Sequence, residues 1–287
     1  MLFAGCSGTT SAVNPADLEG FDCLELPLTF AGPDNHFSVV TARIQGHAFR
    51  LMLDTADYAA FSLTPGALNK LDVKITGKRS YRDMTGRRFC SRKFIVPSMQ
   101  LGTLTLTQVP GRENVNGPPQ YDGTIGRALL AGFYTLIDYP HKTLTLYKKD
   151  REPPCLRGQG WFRYDCKREM QFKVRLEGLA RDYWIGLDSG TGLTFVPRDS
   201  ELGRAMRSAL KPTRVTEGSV NNVPADDLRF YEIGRVTLDG YDIGRMACLV
   251  GPAARYMGNG LMGFDFLASN RVLVDFATQT VWLRKAE

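Results

Sequence analysis

The chain repeats itself. Leu51-Met52-Leu53-Asp54-Thr55-Ala56 has a counterpart in Ile185-Gly186-Leu187-Asp188-Ser189-Gly190, with the two aspartates 134 residues apart. Gly123-Thr124-Ile125-Gly126 followed by Ile137-Asp138-Tyr139 matches Gly260-Leu261-Met262-Gly263 followed by Val274-Asp275-Phe276, and both of these offsets are 137. Leu101 and Leu238, each in a strand-to-turn segment, also stand 137 apart. One match of this kind carries little weight, but a series in one order with a net drift of three residues indicates duplication. A duplicated chain of 287 residues folds as two like units, each of about 140 residues and large enough for its own core.

The units read as all-β. Runs at Phe37 to Ile44, Leu104 to Val109, Thr143 to Tyr147, Phe172 to Leu176 and Val281 to Leu283 are apolar and β-branched, and Gly, Pro and Asn turns bound them. The helices are short and few. The best spans Asp199 to Leu210, with Pro212 just beyond to stop it. Shorter turns follow Pro65 and each glycine landmark, in Arg127 to Ala131 and Phe264 to Ala268. The charged stretch Lys148 to Pro154, ending in two prolines, marks the boundary. The expected organisation is a leader and tether over 1–22, one lobe over 23–150 and a second over 151–287.

Composition narrows the chemistry. Apolar residues at 43% and charged residues at 23% are those of a folded soluble domain, and no run approaches the roughly 18 apolar residues of a membrane-spanning helix. The three histidines, His36, His47 and His141, are scattered. There is no His-Glu-x-x-His helix, Cys-x-x-Cys pair, Gly-x-Ser-x-Gly elbow or Walker loop, which leaves zinc and Ser-His-Asp chemistry without a basis. His47 and His141 read as exposed turn residues, and Trp161, Trp184 and Trp282 as core or interface aromatics. The net charge of +6 comes from 36 Lys and Arg interspersed with 30 Asp and Glu, so nucleic acid is not an expected partner. Six cysteines show no metal spacing, and Cys155 and Cys166 are the expected local disulfide in an oxidising compartment.

In each repeat an apolar strand delivers an aspartate, a small hydroxyl residue and a residue with little or no side chain. A carboxylate at the end of a buried strand is costly unless it is hydrogen-bonded or paired. One copy reads as a capped turn. Two copies at equivalent places read differently, because a pseudo-twofold axis between the lobes brings Asp54 and Asp188 together. Two carboxylates a few ångströms apart share one proton, and such a pair holds a general base and a general acid.

At these residues the chain resembles the aspartic proteases of the pepsin and retropepsin type, in the tandem two-lobe form of bacterial retropepsin-like proteins. The resemblance runs through both halves after about residue 23: Asp54-Thr55-Ala56 and Asp188-Ser189-Gly190 match the family's Asp-Thr/Ser-Gly loops. Thr124-Ile125-Gly126 and Leu261-Met262-Gly263 match its later apolar-apolar-Gly strand. It implies a bilobal all-β fold, a catalytic dyad of Asp54 and Asp188, and Thr55 and Ser189 hydroxyls that bond across to the opposite loop, with Ala56 and Gly190 completing the loops. It also implies a flap over the cleft, for which Tyr81 to Arg88 around Thr85 and Gly86 is the candidate, a peptide or protein substrate, a monomer, and no metal or cofactor. Asp138 and Asp275 read as structural.

Ala56 stands where the family has glycine, and a positive φ there would strain it. Asp57 is a second departure. It is expected as a solvated turn residue, and if turned inward it would raise the dyad's pKa values. From these residues the expected activity is an aspartic endopeptidase, and the alternative is a binding module of the cell envelope that keeps the cleft and has lost turnover through Ala56. Phe3-Ala4-Gly5-Cys6 resembles the end of a bacterial lipoprotein signal peptide, and the Ser/Thr/Gly-rich residues after it suit a flexible tether. The expectation from this motif is a truncated leader, lipidation at Cys6, and a periplasmic or membrane-anchored place in the envelope.

Overall fold

The computed structural model describes residues 9–32, 36–117, 120–167, 170–220, 223–254 and 257–286. Cys6 lies outside them. The first half contributes β1 (Cys23–Pro27), β2 (Thr29–Ala31), β3 (Phe37–Ile44), β4 (His47–Asp54), β5 (Phe61–Leu63), β6 (Ile75–Arg82), β7 (Arg88–Leu101), β8 (Leu104–Glu113), β9 (Gly123–Gly126), β10 (Tyr134–Asp138) and β11 (Thr143–Tyr147). The second contributes β12 (Phe162–Asp165), β13 (Gln171–Leu176), β14 (Asp182–Leu187), β15 (Thr194–Pro197), β16 (Arg214–Val220), β17 (Val223–Leu238), β18 (Tyr241–Gly251), β19 (Leu261–Met262), β20 (Asn270–Asp275) and β21 (Thr280–Lys285). Between them lie the short helices α1 (Pro65–Leu68), α2 (Arg127–Leu130), α3 (Glu201–Ala209) and α4 (Phe264–Ser269).

Three sheets result. An eight-stranded sheet, in the order β2-β3-β4-β9-β5-β8-β7-β6, belongs wholly to the first half, and a seven-stranded sheet, β13-β14-β19-β15-β18-β17-β16, wholly to the second. The third, β1-β11-β10-β20-β21-β12, draws strands from both halves and joins the lobes. Alternation places one face of each strand in the core, as in β13, where Phe172, Val174 and Leu176 are buried and Lys173 and Arg175 exposed. The strands that carry the aspartates run deeper: Leu51, Leu53, Ile185 and Leu187 are fully buried, each worth about 1.5–3 kcal/mol relative to exposure.

Three local expectations are corrected. Cys155 and Cys166 are both free. The Cys155 thiol is hydrogen-bonded with the Tyr147 hydroxyl, whereas the partly buried Cys166 lies near the charges of Asp165 and Arg127, so the two thiols face different neighbours. β8 continues to Glu113 instead of ending at Val109. Pro110 stands one residue before β8 gains β5 as a second neighbour at Gly111, a place where a strand tolerates the missing N–H. The best helix begins at Glu201, because the Ser200 hydroxyl accepts from the Gly203 amide at 3.0 Å and caps it. No helix among the described residues is long and apolar enough to cross a membrane.

Candidate active site

Asp54 ends β4 and Asp188 directly follows β14. Each strand is braced in parallel by the glycine landmark of its own lobe, with Leu53 beside Ile125 and Leu187 beside Met262. Gly126 closes β9 and Gly263 directly follows β19, and both are glycine because the aspartate loop passes over them. A Cβ on Gly126 would lie 2.3 Å from the Ala59 carbonyl oxygen, and one on Gly263 would lie 2.6 Å from that of Thr191. Backbone amides then hold the carboxylates: Asp54 Oδ1 accepts from the N–H groups of Ala56 at 3.1 Å and Asp57 at 2.9 Å, and Asp188 Oδ1 from Gly190 at 2.8 Å.

The two loops interlock. The Thr55 amide donates to Ser189 Oγ at 3.0 Å, and the Ser189 amide donates to Thr55 Oγ1 at 2.9 Å. Each hydroxyl passes its own proton on, Ser189 to the Leu53 carbonyl at 2.8 Å and Thr55 to the Leu187 carbonyl at 3.4 Å. Both residues are fully buried, so all these polar groups are satisfied within the protein. The interlock brings the carboxyls onto one point: a Cβ on Gly190 would lie 3.0 Å from Asp54 Cγ and 3.1 Å from Asp188 Oδ1.

Burial is the largest force raising both carboxyl pKa values. Asp54 is pushed well above the usual carboxylate range by burial, then by the negative charges of Asp188 and Asp57. Asp188 is pushed up by burial to about 6, with the Gly190 amide, the Arg127 guanidinium and a hydrogen bond with Asp54 opposing the rise. Both carboxyls are thus held above the usual carboxylate range, and the pair keeps a shared proton there. Arg127 is itself buried and donates from Nε to the Thr55 carbonyl at 2.9 Å, which fixes its charge beside the loops.

Asp57 is not a solvated turn residue. It is buried, accepts from Thr124 Oγ1 at 2.8 Å and the Ala59 amide at 2.9 Å, and is ion-paired with Arg112, Nη2 to Oδ2 at 3.0 Å. Sequence reasoning missed Arg112 because Pro110-Gly111 read as a turn, while the strand carries on to place Arg112 beside the loop. Ala56 is not among the residues with positive φ, so its methyl does not force the backbone into the left-handed region.

The flap candidate is the hairpin of β6 and β7, in which Tyr81 pairs with Phe89 and Arg82 with Arg88. Its turn is closed by Asp83, whose Oδ1 accepts from the amides of Thr85 and Arg87 and from the Thr85 hydroxyl, and Gly86 takes a φ of +91° there. The Tyr81 ring lies under the Arg112 guanidinium at 4.8 Å. At the tip, the Ala254 amide donates to the Met84 carbonyl at 2.8 Å, and the Met84 side chain packs on the second lobe's cluster of Phe195, Val220, Ala225 and Leu228. Val220, Ala225 and Leu228 belong to a second hairpin, β16 and β17, which the 137-residue offset makes the equivalent of the first. That offset, applied to Tyr81–Arg88, lands on a segment containing Asn221-Asn222, a turn signal available in the sequence.

Other candidates stand apart from the site or serve the frame. His47 is exposed at its turn, and His141 pairs through Nδ1 with Asp138 Oδ1 at 2.8 Å. Asp138 also meets Arg271 at 2.6 Å, and Asp275 meets Lys149, so both repeat-paired aspartates make structural ion pairs. Among the described residues no group of three or more His, Cys, Asp or Glu side chains is placed to hold a metal ion.

No family model matches the chain, and no curated protein matches it. Among solved structures, the crystal structure of the aspartic proteinase from Irpex lacteus is similar over 92% of this chain and 98% of that one, with a TM-score of 0.60 and 14% sequence identity. At that identity the likeness is one of fold: this chain has the two-lobe, all-β pepsin-like architecture.

Proposed function

We propose that the protein is an aspartic endopeptidase, with Asp54 and Asp188 as its catalytic residues. The observation that carries the reading is the convergence of the Asp54 and Asp188 carboxyls beside Gly190, held on two loops that hydrogen-bond to each other. In this reading an extended peptide lies between the lobes under the β6–β7 hairpin. The Asp188 carboxylate takes a proton from a water whose oxygen attacks the scissile carbonyl carbon, while protonated Asp54 hydrogen-bonds the carbonyl oxygen. The tetrahedral intermediate collapses as a proton passes from the dyad to the amide nitrogen, and the C–N bond breaks. One chain supplies both aspartates, so a monomer suffices.

Ala56 supports turnover over the binding-only alternative, because its amide still bonds Asp54 and its φ is not positive. The deciding experiment is cleavage of unstructured peptides across acid to neutral pH by the wild type and by Asp188→Asn. Cleavage by the wild type alone is expected, and equal cleavage by both excludes this dyad. We place the protein in the bacterial envelope through lipidation of Cys6. Mass spectrometry of the mature protein isolated from its native membrane fraction would find an acylated N-terminal cysteine at Cys6, and an unmodified Cys6 would refute the assignment.

A further inference from the structure

The basic excess of this protein sits in one place. Residues 74–94, the β6–β7 hairpin, hold eight Lys and Arg against a single acid, Asp83, so a segment of net +7 accounts for more than the chain's whole +6. The duplication provides its own control. The equivalent residues 211–231, around the second hairpin, hold three cations and three acids. Both β6 and β16 are edge strands of their sheets. Charge on an edge protects it from aggregation, but the second edge achieves this without a cationic excess, so edge protection does not explain the first.

The cations are also placed against their own interest. Lys78 pairs across the strands with Arg92, Ser80 with Cys90, and Arg82 with Arg88, which puts these six side chains on one face. Like charges directly opposite each other destabilise a sheet. Arg92 is relieved by Glu113 at 2.7 Å. Among the described residues no carboxylate lies within ion-pair distance of Lys78, Arg82 or Arg88, and all three are exposed. Tyr81 lies on the opposite face, against Arg112, with the exposed Arg79 and Lys93 further along that face, so the face bearing Lys78, Arg82, Arg88 and Arg92 is the one turned away from Arg112.

We propose that the cationic face and outer edge of the β6–β7 hairpin bind an acidic, extended segment of the polypeptide substrate, added as a strand alongside β6. The outer edge of β6 has no strand partner among the described residues, so it offers unpaired N–H and C=O groups that a polypeptide can satisfy. A lipid surface or a nucleic acid would meet the charge and leave that edge unused. The proposal rests on the peptidase reading for the word substrate, whereas the binding itself does not require turnover. Binding of the acidic segment raises the local concentration of chain beside the cleft and makes capture sensitive to salt.

The test uses the full chain carrying Asp188→Asn and fluorescence anisotropy with an unstructured Glu/Asp-rich peptide, its Gln/Asn isostere, and the acidic peptide N-methylated at alternate residues. The acidic peptide is expected to bind about tenfold tighter than the isostere at low salt. That margin closes with added salt and in the variant Lys78→Gln/Arg82→Gln/Arg88→Gln, whose thermal unfolding should come no lower than the parent's, since the substitutions relieve like charges that face each other. The N-methylated peptide is expected to bind several-fold more weakly. Equal binding of acidic and neutral peptides, or undiminished binding by the triple variant, overturns the proposal, and equal binding of the N-methylated peptide overturns strand addition. Retention on phosphatidylglycerol vesicles without any peptide preference overturns it in favour of a membrane. Acidic-peptide binding by a protein whose wild type cleaves nothing supports the hairpin site and sinks the peptidase reading alone.

Discussion

Leu136 and Leu273 occupy the same position in the two repeats, and they face each other as the middle pair of β10 and β20. An antiparallel pair between equivalent residues exists only across a twofold axis, so the axis of the duplication passes between these leucines. Thr55 and Ser189 obey the same relation in the loops, each amide donating to the other's hydroxyl. The two aspartates are thus fixed about an axis secured at two levels, a shared sheet below and interlocked loops above.

The loop interlock gives the first prediction. Thr55→Val keeps the side-chain shape and removes the hydroxyl that the Ser189 amide uses, which leaves a fully buried N–H unsatisfied. A loss of about 2 kcal/mol is expected, read as a lower urea midpoint with an unchanged slope. Peptide cleavage should fall with it, since the aspartates lose their alignment, and a variant as stable as the wild type would show that the interlock is not a structural requirement.

Position 190 tolerates less than position 56. A methyl on Gly190 meets Asp54 Cγ at 3.0 Å and Asp188 Oδ1 at 3.1 Å, so Gly190→Ala forces the carboxyls apart. The expected result is loss of cleavage with a folded protein by circular dichroism. Ala56→Gly removes a methyl from a residue without positive φ, and should cost only about 0.5–1 kcal/mol of stability while leaving the Asp54 bond from that amide in place. Full activity in Gly190→Ala would contradict this asymmetry.

Asp57 and Arg112 form a neutral unit beside a charged one. The Asp57 carboxylate helps to raise the Asp54 pKa and the Arg112 guanidinium lowers it. Asp57→Asn removes the first and leaves the second, so the Asp54 pKa falls. The alkaline limb of the pH profile for kcat/KM, which in the proposed mechanism requires protonated Asp54, should then move to lower pH. Arg112→Gln should move it the other way and cost about 3 kcal/mol, because it strands a buried charge. Identical pH profiles for the wild type and both variants would rule out this coupling.

The sequence made the repeat, the strand class and the two aspartates legible, because duplicated motifs keep their order and offset however the chain is folded. The surroundings of Asp57 were not legible. Its burial depends on Arg112, which lies 55 residues on, and a turn-like Pro110-Gly111 hid the strand that delivers it. The second hairpin was within reach, since the 137-residue offset of the glycine landmarks also locates it. The contact of Met84 with Ala254 was out of reach, because local pattern says nothing about where the tip of a hairpin lands across a cleft.

The dyad also sets how stability depends on pH. Burial raises the folded-state pKa of Asp188 to about 6, against about 3.9 in an unfolded chain. A carboxyl whose folded pKa is raised binds its proton more tightly in the native state. The stability this provides is complete below about pH 3.9 and is lost as pH rises through about 6. Asp188→Asn cannot ionise and does not suffer the loss. Urea unfolding should therefore find the variant and wild type closest near pH 4 and the variant more stable at pH 7, by about 2–3 kcal/mol. The measurement needs no substrate, and a wild type that gains stability on the variant between pH 4 and pH 7 would show that Asp188 is not held as a high-pKa carboxyl.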